Sequence, residues 1–183
     1  MIFTKEDITQ LYVATFNRAP DAEGLNYWMY NSGFDNLNDV ASSFFDSKEA
    51  QSIYSEEMSS QEMVEMAYEN LFSREADAEG LNYWMNELDS GLISQELMLQ
   101  AMLNGAQGQD YSIIENKTTV GLNYADMGMY NVTDATTVMQ NINYDYSSVE
   151  DAFALMNSMG NNGGTNIGTM GLGINNMSEN FIA

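Results

Sequence analysis

The nine-residue sequence D-A-E-G-L-N-Y-W-M occurs twice in this chain, as residues 21–29 and again as residues 77–85. The two copies begin 56 residues apart, and the same offset aligns Tyr12 with Tyr68, Phe16 with Phe72, and Arg18 with Arg74. Those two arginines are the only arginines of the chain. A repeat with a period of this size is typical of stacked helical units that share one core. The duplication therefore favours a scaffold or an interaction surface over an enzyme.

The composition is strongly acidic, with 27 Asp and Glu against five Lys and Arg in 183 residues and a formal charge of -22. Nucleic acid is excluded as a partner, because phosphate binding requires a basic patch that this chain lacks. An anionic membrane surface is disfavoured for the same reason. Divalent cations are the natural counterpart of such a charge.

Histidine and cysteine are both absent. Their absence removes imidazole and thiol catalysis as well as zinc, haem and iron–sulfur sites with these ligands. No catalytic residues are assigned, and the chain is predicted not to be an enzyme. The start, M-I-F-T-K-E-D, does not resemble a signal peptide. No apolar run is long enough for a membrane span.

Helical spacing and capping residues predict two similar units. Thr4 with Asp7, and Ser59 with Glu62, have the spacing of capping boxes. Asp21 and Asp77 are expected to cap the helices of the repeated sequence. The predicted fold is mainly α, with two tandem three-helix units, over about residues 4–58 and 59–108, that form a bundle. Residues 1–108 are therefore expected to be one tandem helical repeat domain.

Residues 109–183 differ in character and are predicted to be a less regular C-terminal assembly segment. Residues 119–183 contain no Lys or Arg and are rich in Asn, Gly, Thr and Met. Short helices are expected at 134–141 and 147–159, followed by a Gly/Asn-rich tail. This segment is expected to mediate contacts between copies of the protein.

The repeated motif has a structural and a metal-binding interpretation. In the first, Asp21 and Asp77 are helix caps, and the remaining positions are packing or helix-end residues: Arg18, Gly24, Trp28, Arg74, Gly80 and Trp84. In the second, six oxygen-bearing side chains ligate calcium: Asp21, Glu23, Asn26, Asp77, Glu79 and Asn82. Their spacing does not match an EF-hand loop. The structural interpretation is favoured for the Trp and Gly positions.

The pattern Y-x-x-x-F-x-R-x-P-D-x-x-G-L-x-Y-W, from Tyr12 to Trp28, resembles an uncharacterised helical repeat domain of bacterial surface-layer and type I-secreted proteins. The second copy, Tyr68 to Trp84, has Ala76 where the pattern prefers Pro. The resemblance covers about residues 4–105. It implies an all-helical module, an extracellular location and calcium-dependent assembly. It also implies type I export, which reads a C-terminal signal and needs no N-terminal signal peptide. The last residues of the Gly/Asn-rich tail are therefore a candidate secretion signal.

These observations lead to an expected function with two alternatives. The chain is expected to be a secreted structural protein that assembles with itself into a surface layer or an extracellular filament once calcium neutralises its carboxylates. One alternative is a monomeric adhesin-like module at the cell surface that binds polysaccharide through exposed Tyr and Trp side chains. The other is an acidic scaffold that stays in the cytosol.

Overall fold

The computed structural model describes residues 3–55 and 57–162, with side chains up to Gly160. In this part of the chain the protein is helical and forms no β-strand, which confirms the predicted mainly-α fold. A π-helical turn, Tyr27–Asn31, directly continues α2. The described residues form ten α-helices: α1 (Lys5–Phe16), α2 (Ala22–Asn26), α3 (Leu37–Phe45), α4 (Lys48–Ile53), α5 (Ser60–Phe72), α6 (Ala78–Asp89), α7 (Gln95–Gly105), α8 (Gly108–Asp126), α9 (Val132–Thr137) and α10 (Ser147–Asn162).

Local capping explains where the equivalent helices α1 and α5 begin and end. The capping boxes of Thr4 with Asp7 and of Ser59 with Glu62 are both formed, as predicted. Each helix ends at a residue in the left-handed conformation, Asn17 with φ 49° and Ser73 with φ 50°. These two residues occupy the same position of the repeat. The left-handed residue turns the chain sharply, so that the following arginine returns towards its own helix.

The division of each unit into three helices is not confirmed. The first unit contains α1, α2 with its π-helical turn, α3 and a short fourth helix, α4. The second unit has α5, α6 and α7 in the same order, and the N-terminal turn of α8 follows in the place that α4 has in the first. The first unit therefore has a complete fourth helix, and the second unit ends where its fourth helix, α8, begins.

Helix α8, the longest within the described residues, begins at the predicted domain boundary, in a region where only short helices were expected. It packs against α1, and a Cβ added at Gly121 would lie 2.5 Å from Thr9 Cγ2. Val120 and Tyr124 of α8 share a hydrophobic core with Val13 of α1 and with α9 and α10. Helix α8 thus joins the repeats to the last two helices. The division into domains at residue 108 stays a prediction.

Two further expectations concern the C-terminal tail and the membrane. The Gly/Asn-rich tail and the candidate secretion signal lie outside the described residues. Within the described ranges, no helix is both long enough and apolar enough to cross a membrane.

Candidate functional site

The first copy of the motif is centred on the buried guanidinium of Arg18, of which only 9% of the side chain is exposed. Its Nε and Nη2 atoms donate to the two carboxylate oxygens of Glu49, at 2.6 and 2.8 Å. Its Nη1 donates to the carbonyl oxygen of Ala19 at 2.9 Å. The guanidinium carbon lies 4.9 Å from the ring centre of Tyr12 and 5.3 Å from that of Phe16. This side chain therefore ties α1 to α4 by a bidentate ion pair and by cation–π contacts.

Glu49 compensates the cost of burying the Arg18 charge. Burial by itself lowers the pKa of Arg18, but the hydrogen bonds and the negative charge of Glu49 outweigh it and raise the pKa above its ordinary value. Arg18 thus stays charged, and loss of Glu49 would leave a buried cation without its counter-ion.

The second copy repeats this geometry around Arg74, which is more open, with 41% of the side chain exposed. Nε and Nη2 donate to the carboxylate of Asp110, at 2.9 and 2.7 Å, and Nη1 donates to the carbonyl oxygen of Glu75 at 3.1 Å. The guanidinium carbon lies 5.0 Å from the ring centre of Tyr68. Asp110 belongs to the first turn of α8, as Glu49 belongs to the first turn of α4.

Sequence reasoning missed both carboxylates because they do not follow the repeat. Glu49 is 31 residues after Arg18, whereas Asp110 is 36 residues after Arg74. The constant offset between the two copies of the motif therefore cannot align them. One sequence signal could have identified them. In each unit a further helix follows the third one, and its first turn contains an acidic residue.

Asp21 and Gly24 hold the repeated helix against Tyr12. Asp21 Oδ1 accepts a hydrogen bond from Gly24 N at 2.7 Å, and a Cβ at Gly24 would lie 2.6 Å from Tyr12 Oη. The same hydroxyl accepts a hydrogen bond from Trp28 Nε1 at 3.2 Å. In the second copy Asp77 caps Gly80 N at 2.9 Å, and a Cβ at Gly80 would collide with the Tyr68 hydroxyl. Both aspartates thus cap their helices, and both glycines lie against the tyrosine hydroxyl of the preceding long helix.

The six residues predicted to ligate calcium differ in their hydrogen bonds and exposure. Asp21 and Asp77 accept the capping hydrogen bonds, and Asn82 Nδ2 donates to the carbonyl oxygen of Ala78 at 2.7 Å. Glu23, Asn26 and Glu79 are exposed. In the part of the chain that the structure describes, no three Asp or Glu side chains come together in a way that could hold a metal ion. The calcium site stays a prediction.

The two copies differ in how far their helices are covered. Leu25 and Met29 of the first copy are buried in a core that includes Phe3 and, from α8, Ala125. The equivalent Leu81 and Met85 are only half-buried, and α6 has no fully buried residue. The same apolar side chains are thus closed off from solvent in one copy and partly open in the other.

A buried amine, which the sequence reasoning did not single out, lies between α5 and α8. Lys117 is almost completely buried, and its Nζ donates to the carbonyl oxygen of Asn70 at 2.6 Å. Burial lowers the pKa of Lys117 to about 8, against the opposing charge of Glu69. The sequence did contain a signal for this burial. Lys117 lies between Ile113 and Val120 at helical spacing, on the apolar side of α8.

A shallow cleft of about 350 Å³ separates α9 from α10. Its lining mixes polar and apolar side chains: Thr137, Asn141, Asn143, Ser147, Asp151 and Leu155. Asp151 is the one acidic residue of this lining. Proton transfer by paired carboxylates needs a second acid, so this cleft does not suit that chemistry.

Residues 41–109 match the family model of a domain of unknown function, DUF4214. The matched range contains the second copy of the motif, from Tyr68 to Trp84, and ends in the first turn of α8. No curated protein and no solved structure matches the chain.

Proposed function

We propose that this protein is an extracellular structural protein that assembles with itself into a surface layer or a filament. The observation that carries the proposal is the incompletely covered apolar side of α6. The two motif arginines are paired internally with Glu49 and Asp110, so they serve the fold and leave assembly to other side chains.

The second copy of the motif supports this proposal because its apolar residues are only partly covered. Four side chains of α6 are half-buried: Leu81, Trp84, Met85 and Leu88. Leu92, shortly after α6, is 75% exposed. Exposed apolar area costs roughly 25 cal/mol for each Å² that a partner could bury. In the first copy α8 provides such a cover, so in an assembly a second copy of the chain would take the corresponding place.

The negative charge of each copy opposes this association and suggests that cations control it. Each copy carries a net charge of -22, so copies repel one another at low ionic strength. Asp77 and Glu79 are exposed at the N-terminal end of α6, beside the surface that would be covered. We propose that calcium, shared between such carboxylates of neighbouring copies, offsets the repulsion. A proposed route of type I export agrees with the lack of cysteines that could misoxidise outside the cell.

The test is negative-stain electron microscopy and sedimentation of the purified chain, in millimolar calcium and in chelator. We expect ordered sheets or filaments only with calcium. The variant Leu92→Asp should stay monodisperse in calcium, whereas Tyr30→Asp, which changes an exposed residue outside both α6 and the C-terminal segment, should assemble like the unchanged protein.

Four results would count against the proposal in different ways. Monodisperse particles under both conditions overturn self-assembly. Polymers that form equally in chelator overturn the role of calcium. Polymers of Leu92→Asp overturn the role of the α6 surface. Detection of the protein in cells rather than in spent medium overturns the extracellular location and favours the cytosolic scaffold.

A second candidate function is a monomeric adhesin-like module that binds cell-surface polysaccharide. Seven of the 11 tyrosines are exposed, and exposed aromatic rings with a polar tip suit partners that present both apolar and hydroxyl groups. This candidate predicts a protein that stays monomeric in calcium and is retained by an immobilised glycan.

A further inference from the structure

An aromatic surface lies at the π-helical turn of the first copy. The turn is closed by a hydrogen bond from Ser32 N to the carbonyl oxygen of Tyr27, at 2.8 Å. Tyr27, Tyr30 and Phe34 are exposed by 49%, 64% and 37%. The Phe34 ring lies nearly parallel to the indole of Trp28, with an interplanar angle of 11° and 6.2 Å between ring centres. We call Tyr27, Trp28, Tyr30 and Phe34 the aromatic platform.

The second copy provides an internal reference for this surface. Its identical nonapeptide lies within a regular α-helix, α6, without a π-helical turn. The positions equivalent to Tyr30 and Phe34 are Asn86 and Ser90. The platform therefore belongs to the first copy alone. π-Helical turns are rare in proteins, and those that occur are often found at functional sites.

The fold explains only part of this aromatic cluster. Trp28 has a structural task, since its indole lies 4.9 Å from the Phe44 ring and donates to Tyr12. Tyr30 and Phe34 contribute little to the core, because large parts of both side chains face solvent. The Tyr27 and Phe34 rings both lie beside the indole of Trp28, with ring centres 5.1 and 6.2 Å away, and the exposed Tyr30 belongs to the same turn. Clustered exposed aromatic side chains mark an interaction site more often than scattered single residues do.

The surroundings of the platform favour a neutral, hydroxyl-rich ligand. Residues 19–47 contain no Lys or Arg, so an anionic ligand would find no counter-ion along this segment. Asn26 and Asn31 are exposed, and their amides both donate and accept hydrogen bonds. The nearby carboxylates of Asp35 and Asp39 already accept hydrogen bonds from Asn36 Nδ2, at 3.3 and 2.7 Å.

We propose that the aromatic platform binds a neutral polysaccharide, with the C–H faces of its pyranose rings packed on Tyr27, Tyr30 and Phe34. The ring hydroxyls would exchange hydrogen bonds with Asn26 and Asn31. This inference rests on the second candidate function, glycan binding, and is independent of self-assembly. Binding would be confined to the first copy of the repeat, because Asn86 and Ser90 stand in the second copy where the first has Tyr30 and Phe34.

The test is affinity electrophoresis through gels that contain a neutral glucan (hydroxyethylcellulose or dextran), an acidic polysaccharide (alginate) or a cationic one (chitosan). The variant Tyr30→Asn with Phe34→Ser gives the first copy the residues of the second. Tyr83→Ala is the matched control, because Tyr83 is the equivalent of Tyr27 and is similarly exposed. Circular dichroism melting checks that each variant is folded.

We expect a neutral glucan to retard the unchanged chain and Tyr83→Ala equally, independently of salt. The double variant should bind at least about tenfold more weakly, as expected when stacked aromatic rings are removed. Equal retardation of the double variant would overturn the platform but keep glycan binding. No retardation by either neutral glucan, or salt-sensitive binding to chitosan alone, would overturn both.

Discussion

The contact between Gly24 and the Tyr12 hydroxyl allows a sharp test of the motif's structural role. In Gly24→Ala the new Cβ would lie 2.6 Å from Tyr12 Oη, well inside van der Waals contact. Tyr12 has little room to move, because its ring centre lies 4.9 Å from that of Phe44 and 4.9 Å from the Arg18 guanidinium. We therefore expect a loss of stability rather than the gain that Gly→Ala often gives in a helix.

The magnitude depends on two opposing effects. Overpacking of a buried site costs about 1–3 kcal/mol. The higher helix propensity of Ala returns at most about 1 kcal/mol, and less in the first turn of a five-residue helix. The net loss should be about 1–2 kcal/mol, which lowers Tm by roughly 2–8 °C for a domain of this size. Thermal and urea unfolding followed by circular dichroism measure it.

A double-mutant cycle with Tyr12→Phe attributes the loss to the hydroxyl. In that background Gly24→Ala should cost at least about 1 kcal/mol less than in the unchanged protein, since the clashing oxygen is gone. Gly105→Ala is the control, because a Cβ there has no neighbour within 4 Å and should be neutral or stabilising. The close-packing explanation is wrong if Gly24→Ala is as stable as the unchanged protein, or if it destabilises equally with and without the Tyr12 hydroxyl.

Three further predictions concern other parts of the structure. Gly80→Ala should destabilise the second unit in the same way and be relieved by Tyr68→Phe. Glu49→Gln should cost about 1–3 kcal/mol in urea unfolding, because it leaves the buried Arg18 without a counter-ion; Asp110→Asn, beside the exposed Arg74, should cost less. Lys117 has a pKa of about 8 when folded against 10.5 ordinarily, so the unfolded state binds more protons between these values. Stability should therefore rise with pH above 8, and Lys117→Met should abolish that rise.

Features that depend on a few neighbouring residues could be predicted from the sequence. The caps at Thr4, Asp21, Ser59 and Asp77 each bind a backbone group three residues away, so their spacing is visible in the chain. The two glycines could also be singled out as packing positions, because they occur at the same place in both copies. Their close contact with a tyrosine hydroxyl on the preceding long helix became visible only in the structure.

Features that depend on distant residues could not be predicted in the same way. Glu49 and Asp110 reach their arginines across 31 and 36 residues, and unequal connections hide their equivalence. Helix α8 lies in a segment whose composition suggested less regular structure, yet it is the longest helix in the part of the chain that the structure describes. Its stability depends on packing against α1, which local propensity does not express.

The nonapeptide D-A-E-G-L-N-Y-W-M separates the contributions of sequence and tertiary structure. The sequence alone determined that each copy begins a helix at its aspartate, because the cap and its glycine lie within the nonapeptide. Identical residues then continue as a π-helical turn in one copy and as α-helix in the other. That difference must arise outside the nonapeptide, from the residues after it and from those that cover it. Leu25 and Met29 are buried beside Ala125 of α8, whereas Leu81 and Met85 have no such cover within the described residues.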